Sequence, residues 1–118
     1  MKNESYKTRE ERLRYLIRAM QKEMPQYRGI VIPEDSAGQK QLLRSLMNVR
    51  PPMPASSDFL AVQAMYLSEE NAARGILDGA DLAPVQGNSR ICLWPGDIPR
   101  LKPGAIVNAA NRDLTGCF

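Results

Sequence analysis

Apolar side chains near the start of the chain recur at the three-and-four spacing of an α-helix. Leu13, Leu16, Ile17 and Met20 share one stripe, while Arg14 and Arg18, four apart, fall on the outer face. Thr8 followed by Glu11 forms a capping box, and Pro25 disfavours helical backbone at Met24, so a helix is predicted over residues 8–23 with its stripe turned to the core. Ser36 and Gln39 form a second box ahead of Leu42, Leu43, Leu46 and Met47, which predicts a helix over 37–49 stopped by Pro51-Pro52. Ser56 or Ser57 caps a third helix over 57–67, bearing Phe59, Leu60, Val62, Met65 and Tyr66. Ser68 is read as the cap of a shorter fourth helix over 69–78, carrying Ala72, Ala73, Ile76 and Leu77 and closed by Gly79. Ile30-Val31-Ile32, a β-branched run ending at Pro33, is an extended segment or a brief strand.

The pattern changes at DLAPVQGNS. Arg90-Ile91-Cys92-Leu93-Trp94 reads as a buried strand over 90–95, broken by Pro95-Gly96. Asp97 then caps a single turn with Pro99 near its start, and Ala105-Ile106-Val107-Asn108 reads as a second strand over 105–109. Within the first strand Cys92 is expected to be a small buried core residue, and Trp94 a core side chain rather than a platform for a base. Two short strands joined by a crossover need further sheet to be stable, so the ending at Phe118 reads as early. An apolar strand left there is expected to self-associate or to pair with a segment outside the chain. The expected class is α/β, with a helical region over 1–82 and a sheet-forming region over 83–118.

Composition narrows the chemistry. The 118 residues include no histidine and two cysteines, Cys92 and Cys117. Without imidazole there is no Ser-His-Asp triad and no Cys-His dyad, and two thiols alone cannot close a Cys/His zinc site. Chemistry complete within the chain must use carboxylates, amides, hydroxyls or backbone groups. Two cysteines make no disulfide framework, and the charged opening MKNESYKTREER lacks the apolar core of a signal peptide. No apolar run reaches the roughly 18 residues of a membrane span. Together these predict a cytoplasmic protein with no membrane partner. Sixteen basic against 13 acidic residues give a net charge of +3, too mild to nominate nucleic acid. Eight of the 16 basic residues lie in the first 28 positions, the mark of a solvated helix face or of an anionic partner.

Asp97 follows the first predicted strand, and Asn108 and Asn111 bracket the end of the second. If the strands run parallel, all three lie at carboxyl ends along one sheet edge, where open α/β folds bind ligands. Aspartate can accept from an exocyclic amine, and asparagine can both donate to and accept from ribose hydroxyls. The same residues also serve as ordinary helix caps and turn formers.

The ordered string Leu93-Trp94-Pro95-Gly96-Asp97-Ile98, Leu101, Ala105-Ile106-Val107-Asn108-Ala109-Ala110-Asn111 and Leu114-Thr115-Gly116-Cys117-Phe118 closely resembles the opening of macrodomains. These are α/β/α modules that bind ADP-ribose, many of which hydrolyse it from proteins. The ending GCF is similar to the zinc-dependent bacterial subgroup of protein ADP-ribosyl hydrolases. Gln41 to Pro51, with Phe59-Leu60 and Tyr66-Leu67, looks like the helical extension that precedes the core there. By position, the resemblance gives Asp97 the adenine amine and the Ile98 N–H a ring nitrogen. It places Asn108 and Asn111 near the distal ribose, with Asn111 at the bond that is cleaved. Cys117 would be a first zinc ligand, its partners lying beyond Phe118, so no zinc is expected on this chain alone. Pro99 stands where the family has threonine, and Pro103-Gly104 where it usually has an acidic residue. The resemblance implies the N-terminal part of a zinc-dependent hydrolase acting on mono-ADP-ribosylated proteins, inactive in isolation. A non-catalytic ADP-ribose-binding module and a helical protein-interaction fragment are the alternatives.

Overall fold

Thr8 and Glu11 open α1 (Arg9–Glu23) as the capping box predicts. The Thr8 hydroxyl accepts from the Glu11 N–H at 3.1 Å, and the Glu11 carboxylate accepts from the N–H groups of Thr8 and Lys7 at 3.1 and 2.8 Å. Those two backbone bonds, Thr8 first, hold the Glu11 carboxyl below its ordinary value. The coordinates are a computed structural model, which describes residues 6–114. Past α1, Pro25–Tyr27 forms a 3₁₀ turn. The buried amide of Gln21 donates to the carbonyls of Tyr27 and Ile30 at 3.1 and 2.8 Å, folding the exit back onto the helix. Arg28 donates to the carbonyls of Gln21 and Lys22 at 3.3 and 2.6 Å, which the helix end leaves without intrahelical partners. Ile30-Val31-Ile32 is irregular backbone rather than a strand, with Val31 85% exposed.

The second helix, α2 (Ser36–Val49), starts one residue before the expected box. Asp35, not Ser36, is its cap, accepting from the Gly38 N–H at 2.7 Å. Gln39 is buried instead of reaching back to Ser36, and its amide donates to the Pro33 carbonyl at 2.8 Å. Ser56 caps α3 (Ser57–Arg74), its hydroxyl accepting from the Phe59 N–H at 3.1 Å. This helix runs straight through Ser68, so the separate fourth helix is not formed. Glu69 and Glu70 sit inside α3 and bind cations: Arg12 pairs with Glu69, while Arg9 and Lys40 pair with Glu70. Gly75, at φ +87°, ends the helix in a conformation costly for other residues.

The three helices meet over Leu13, Leu16, Ile17 and Met20 from α1, Leu43 and Leu46 from α2, and Phe59, Val62 and Tyr66 from α3. Burying each of these stabilises by about 1.5–3 kcal/mol before entropy is charged against it. Leu60 and Met65, also borne by α3, are 50% and 45% exposed. The described residues divide into two compact units between Ala73 and Arg74.

In the second unit β1 (Leu77–Asp78), β2 (Pro84–Val85), β3 (Asn88–Cys92) and β4 (Leu101–Lys102) form two two-stranded sheets. β1 and β4 are parallel, Leu77 opposite Leu101 and Asp78 opposite Lys102. β2 and β3 are antiparallel, with Gly87 at φ +87° in the connection. The strand predicted over 90–95 is thus β3, shifted toward the N-terminus and exposed throughout rather than buried. Cys92 is accordingly exposed, because no layer covers this hairpin among the described residues. Residues 105–109 are irregular, with Val107 95% exposed, so the expected C-terminal strand and its self-pairing edge are not formed among the described residues. The parallel pairing goes to Leu77–Asp78 and Leu101–Lys102 instead. The class is mixed α and β, with three α-helices and small sheets among the described residues.

Candidate functional site

Pro95 and Gly96 turn the chain after β3, and Asp97 introduces a 3₁₀ turn at Ile98–Arg100. Pro99 is accommodated near the start of that turn, where a missing N–H costs nothing. The Arg100 N–H donates to the Asp97 carbonyl at 2.9 Å. The Asp97 side chain does not cap the turn, contrary to the sequence expectation; its Oδ2 accepts from Arg74 Nη1 at 2.7 Å. Both partners are about half exposed, 47% and 51%, and such a pair is worth about 0–1 kcal/mol. The carboxylate is therefore held in place weakly enough for another donor to take it over.

Arg100 adds a second tie. Its Nε donates to the Gly75 carbonyl at 2.9 Å, and its guanidinium carbon lies 5.9 Å from the Trp94 ring centroid. Trp94 is half-buried, between the two roles weighed for it. A Cβ at Gly96 would meet the Trp94 ring at 2.2 Å, so glycine is what lets the indole fold over its own turn. Within the second unit, residues 94–100 are in this way tied to Arg74 and Gly75.

Asp97 and Ile98 are thus adjacent on one exposed turn, with Ile98 53% exposed. Asn108 and Asn111 lie on exposed irregular backbone, and the Asn111 carbonyl accepts from the Leu114 N–H at 3.1 Å. The common strand edge predicted for Asp97, Asn108 and Asn111 is not formed among the described residues, since 105–109 carries no strand. Cys117 lies outside the described residues. Among the described residues no three histidine, cysteine or carboxylate side chains group around a point, and the Cys92 thiol faces the Leu82 carbonyl at 3.6 Å. Among the described residues that donor set does not fit a zinc ion.

Arg74 and Arg100 escaped the sequence reading. A basic residue in a last helical turn is ordinary there, and its carboxylate partner stands 23 positions away.

No family model matches the chain. It is similar to a protein-ADP-ribose hydrolase of Treponema medium, 50% identical over 113 residues, which cover 94% of this chain and 43% of that protein. It is also similar to a protein-ADP-ribose hydrolase of Staphylococcus aureus strain MRSA252, 42% identical over 115 residues, covering 98% of this chain and 42% of that protein. The chain spans less than half the length of these curated relatives.

Proposed function

We propose that this chain carries part of the ADP-ribose site of a protein-ADP-ribose hydrolase of the zinc-dependent macrodomain type. The observation that carries the reading is 50% identity to a protein-ADP-ribose hydrolase over 113 residues, 94% of this chain. The turn at Asp97 supports it with an exposed carboxylate, loosely paired, next to a backbone segment no side chain caps.

In this reading adenine displaces Arg74. The Asp97 carboxylate accepts from the exocyclic amine, and the Ile98 N–H donates to a ring nitrogen. The amides of Asn108 and Asn111 hydrogen-bond the distal ribose hydroxyls. Asn111 orients the anomeric carbon, where the bond to the modified side chain breaks and a water oxygen replaces it. The substrate is a mono-ADP-ribosylated protein, free ADP-ribose is released, and the reaction takes place in the cytoplasm. Cys117 is proposed as one zinc ligand, the others belonging to the portion of the relatives this chain does not span. The 118 residues alone are proposed to give no turnover.

The test compares a protein extended to the relatives' length with two variants. ADP-ribose titrated calorimetrically should bind Asp97→Ala about ten- to a hundredfold more weakly, for loss of a charge-assisted hydrogen bond. Asn111→Ala should slow release of ADP-ribose from a modified protein more than it weakens binding, since positioning at the reacting bond counts most in the transition state. Equal affinity of Asp97→Ala and the parent would defeat the site. An extended protein that releases no ADP-ribose would defeat the activity.

A further inference from the structure

We propose that the solvent face of α1 is a docking surface for an acidic helix of a partner protein. Arg14, Arg18 and Lys22 follow one another at four-residue intervals on that face, all exposed. At about 1.5 Å per residue they set three cations roughly 6 Å apart along a line of about 12 Å. They line an open groove of about 630 Å³ together with Ala19 and Tyr15, the latter in ring contact with Tyr6 at 4.4 Å between centroids.

The fold does not use these three cations, which share one face at regular spacing. Arg9 and Lys40 pair with Glu70, Arg12 with Glu69, Arg50 with Glu23, and Arg28 binds carbonyls at the end of α1. Among the described residues no carboxylate pairs with Arg14, Arg18 or Lys22. The two carboxylates that line the groove are engaged elsewhere: Glu11 accepts backbone N–H groups, and Glu23 accepts from Arg50 Nε at 2.8 Å. A stripe of positive charge beside an aromatic wall is left facing water.

The geometry also selects the kind of anion. Carboxylates at i, i+4 and i+8 of a helix repeat at the same interval as the three cations, so a helix laid alongside matches all three at once. Glu11 and Glu23 stand at the two ends of the stripe and repel negative charge that continues past it, as a nucleic-acid backbone would. The Tyr6 and Tyr15 rings are tilted 44° to each other, so they form no coplanar platform on which successive bases could stack. A short acidic helix with an apolar residue against Tyr15 satisfies all of these features.

The experiment uses the 118-residue chain and a fluorescein-labelled, alanine-based helical peptide with three glutamates at four-residue spacing. Its glutamine counterpart and a single-stranded oligothymidylate serve as competing probes. Anisotropy should show binding of the glutamate peptide that weakens as salt rises from about 50 to about 200 mM. The triple variant R14Q/R18Q/K22Q should bind it roughly tenfold more weakly, with helical circular dichroism unchanged because the three side chains face solvent. R44Q, which removes a charge from an exposed position of α2, should leave binding as it was. Equal binding of the glutamate and glutamine peptides would overturn the proposal, as would an equal loss in R44Q. Tighter binding of the oligothymidylate than of the glutamate peptide would assign the stripe to nucleic acid and overturn it as well.

Discussion

Alanine normally improves a helix over glycine by about 1 kcal/mol, yet position 38 should do the opposite. A Cβ there would lie 2.7 Å from the Pro33 Cβ and 2.9 Å from the capping Asp35 Oδ1, and a proline ring carries no flexible end that could yield. Gly38→Ala is expected to lose about 1–3 kcal/mol by overpacking, outweighing the propensity gain; urea unfolding that shows it stabilised would refute the contact. Tyr66 makes a second case at single-residue scale. Burial, then the neighbouring Glu70 charge, against the opposing pull of Arg9, push its hydroxyl from 10.0 up to about 12. A folded-state value raised above the unfolded one gives stability that is whole below pH 10 and is lost as pH rises toward 12. The slope of that loss is at most about 1.4 kcal/mol per pH unit, and Tyr66→Phe should abolish it in alkaline denaturation curves.

Among the elements, α3 is joined to the other two helices through one carboxylate. Glu70 takes Arg9 Nε at 2.7 Å from α1 and Lys40 Nζ at 3.0 Å from α2. Its burial would raise the carboxyl, but the hydrogen bonds from Arg9 and Lys40 outweigh that and hold it below the usual 4.5. A depressed folded value stabilises above pH 4.5 and is lost as pH falls through it. Glu70→Gln should therefore cost about 1 kcal/mol at neutral pH and converge with the parent in acid, followed by unfolding at several pH values. This same carboxylate explains what the sequence left illegible. The helix starts were readable because Thr8 and Ser56 act on neighbours three residues away, and the core stripe because Leu13, Leu16, Ile17 and Met20 repeat locally. Ser68 looked like a cap by the same local logic, but Arg9, Arg12 and Lys40, distant in sequence, make the helical course through Glu69 and Glu70 the better one. Strand pairing was hidden for a related reason. Ile106-Val107 has the side chains of a strand, while pairing depends on a partner that composition does not name, and Leu101–Lys102 takes it. Of the candidate site, the contiguous Asp97-Ile98 turn was legible, whereas the ties that fasten it, Arg74 to Asp97 and Arg100 to the Gly75 carbonyl, span 23 and 25 positions.

At the scale of the whole molecule, stability is distributed unevenly between the two units. Every buried residue among those described precedes residue 67, and from there to 114 none is buried. Hydrogen bonds without buried apolar contact open readily, so residues 74–114 belong to the low-stability end of the chain. Native-state hydrogen exchange on the 118-residue chain should find the amides of Leu16, Ile17, Leu46 and Val62 protected to nearly the full unfolding free energy. Those of β3 should exchange far sooner. The same asymmetry bears on the site, because Asp97 belongs to the weakly stabilised unit, where its bonds are to Arg74 and Arg100 among the described residues. Leu93 and Val107, 81% and 95% exposed there, are the apolar surface that a longer chain of the proposed type would cover with further sheet. Extending the protein to the length of its relatives should therefore slow exchange at residues 88–102 while leaving α1 and α2 unchanged. ADP-ribose should slow it further only while Asp97 is present. Exchange in that segment unaltered by the extension would mean that the added chain packs elsewhere, and the ADP-ribose reading would lose its structural footing.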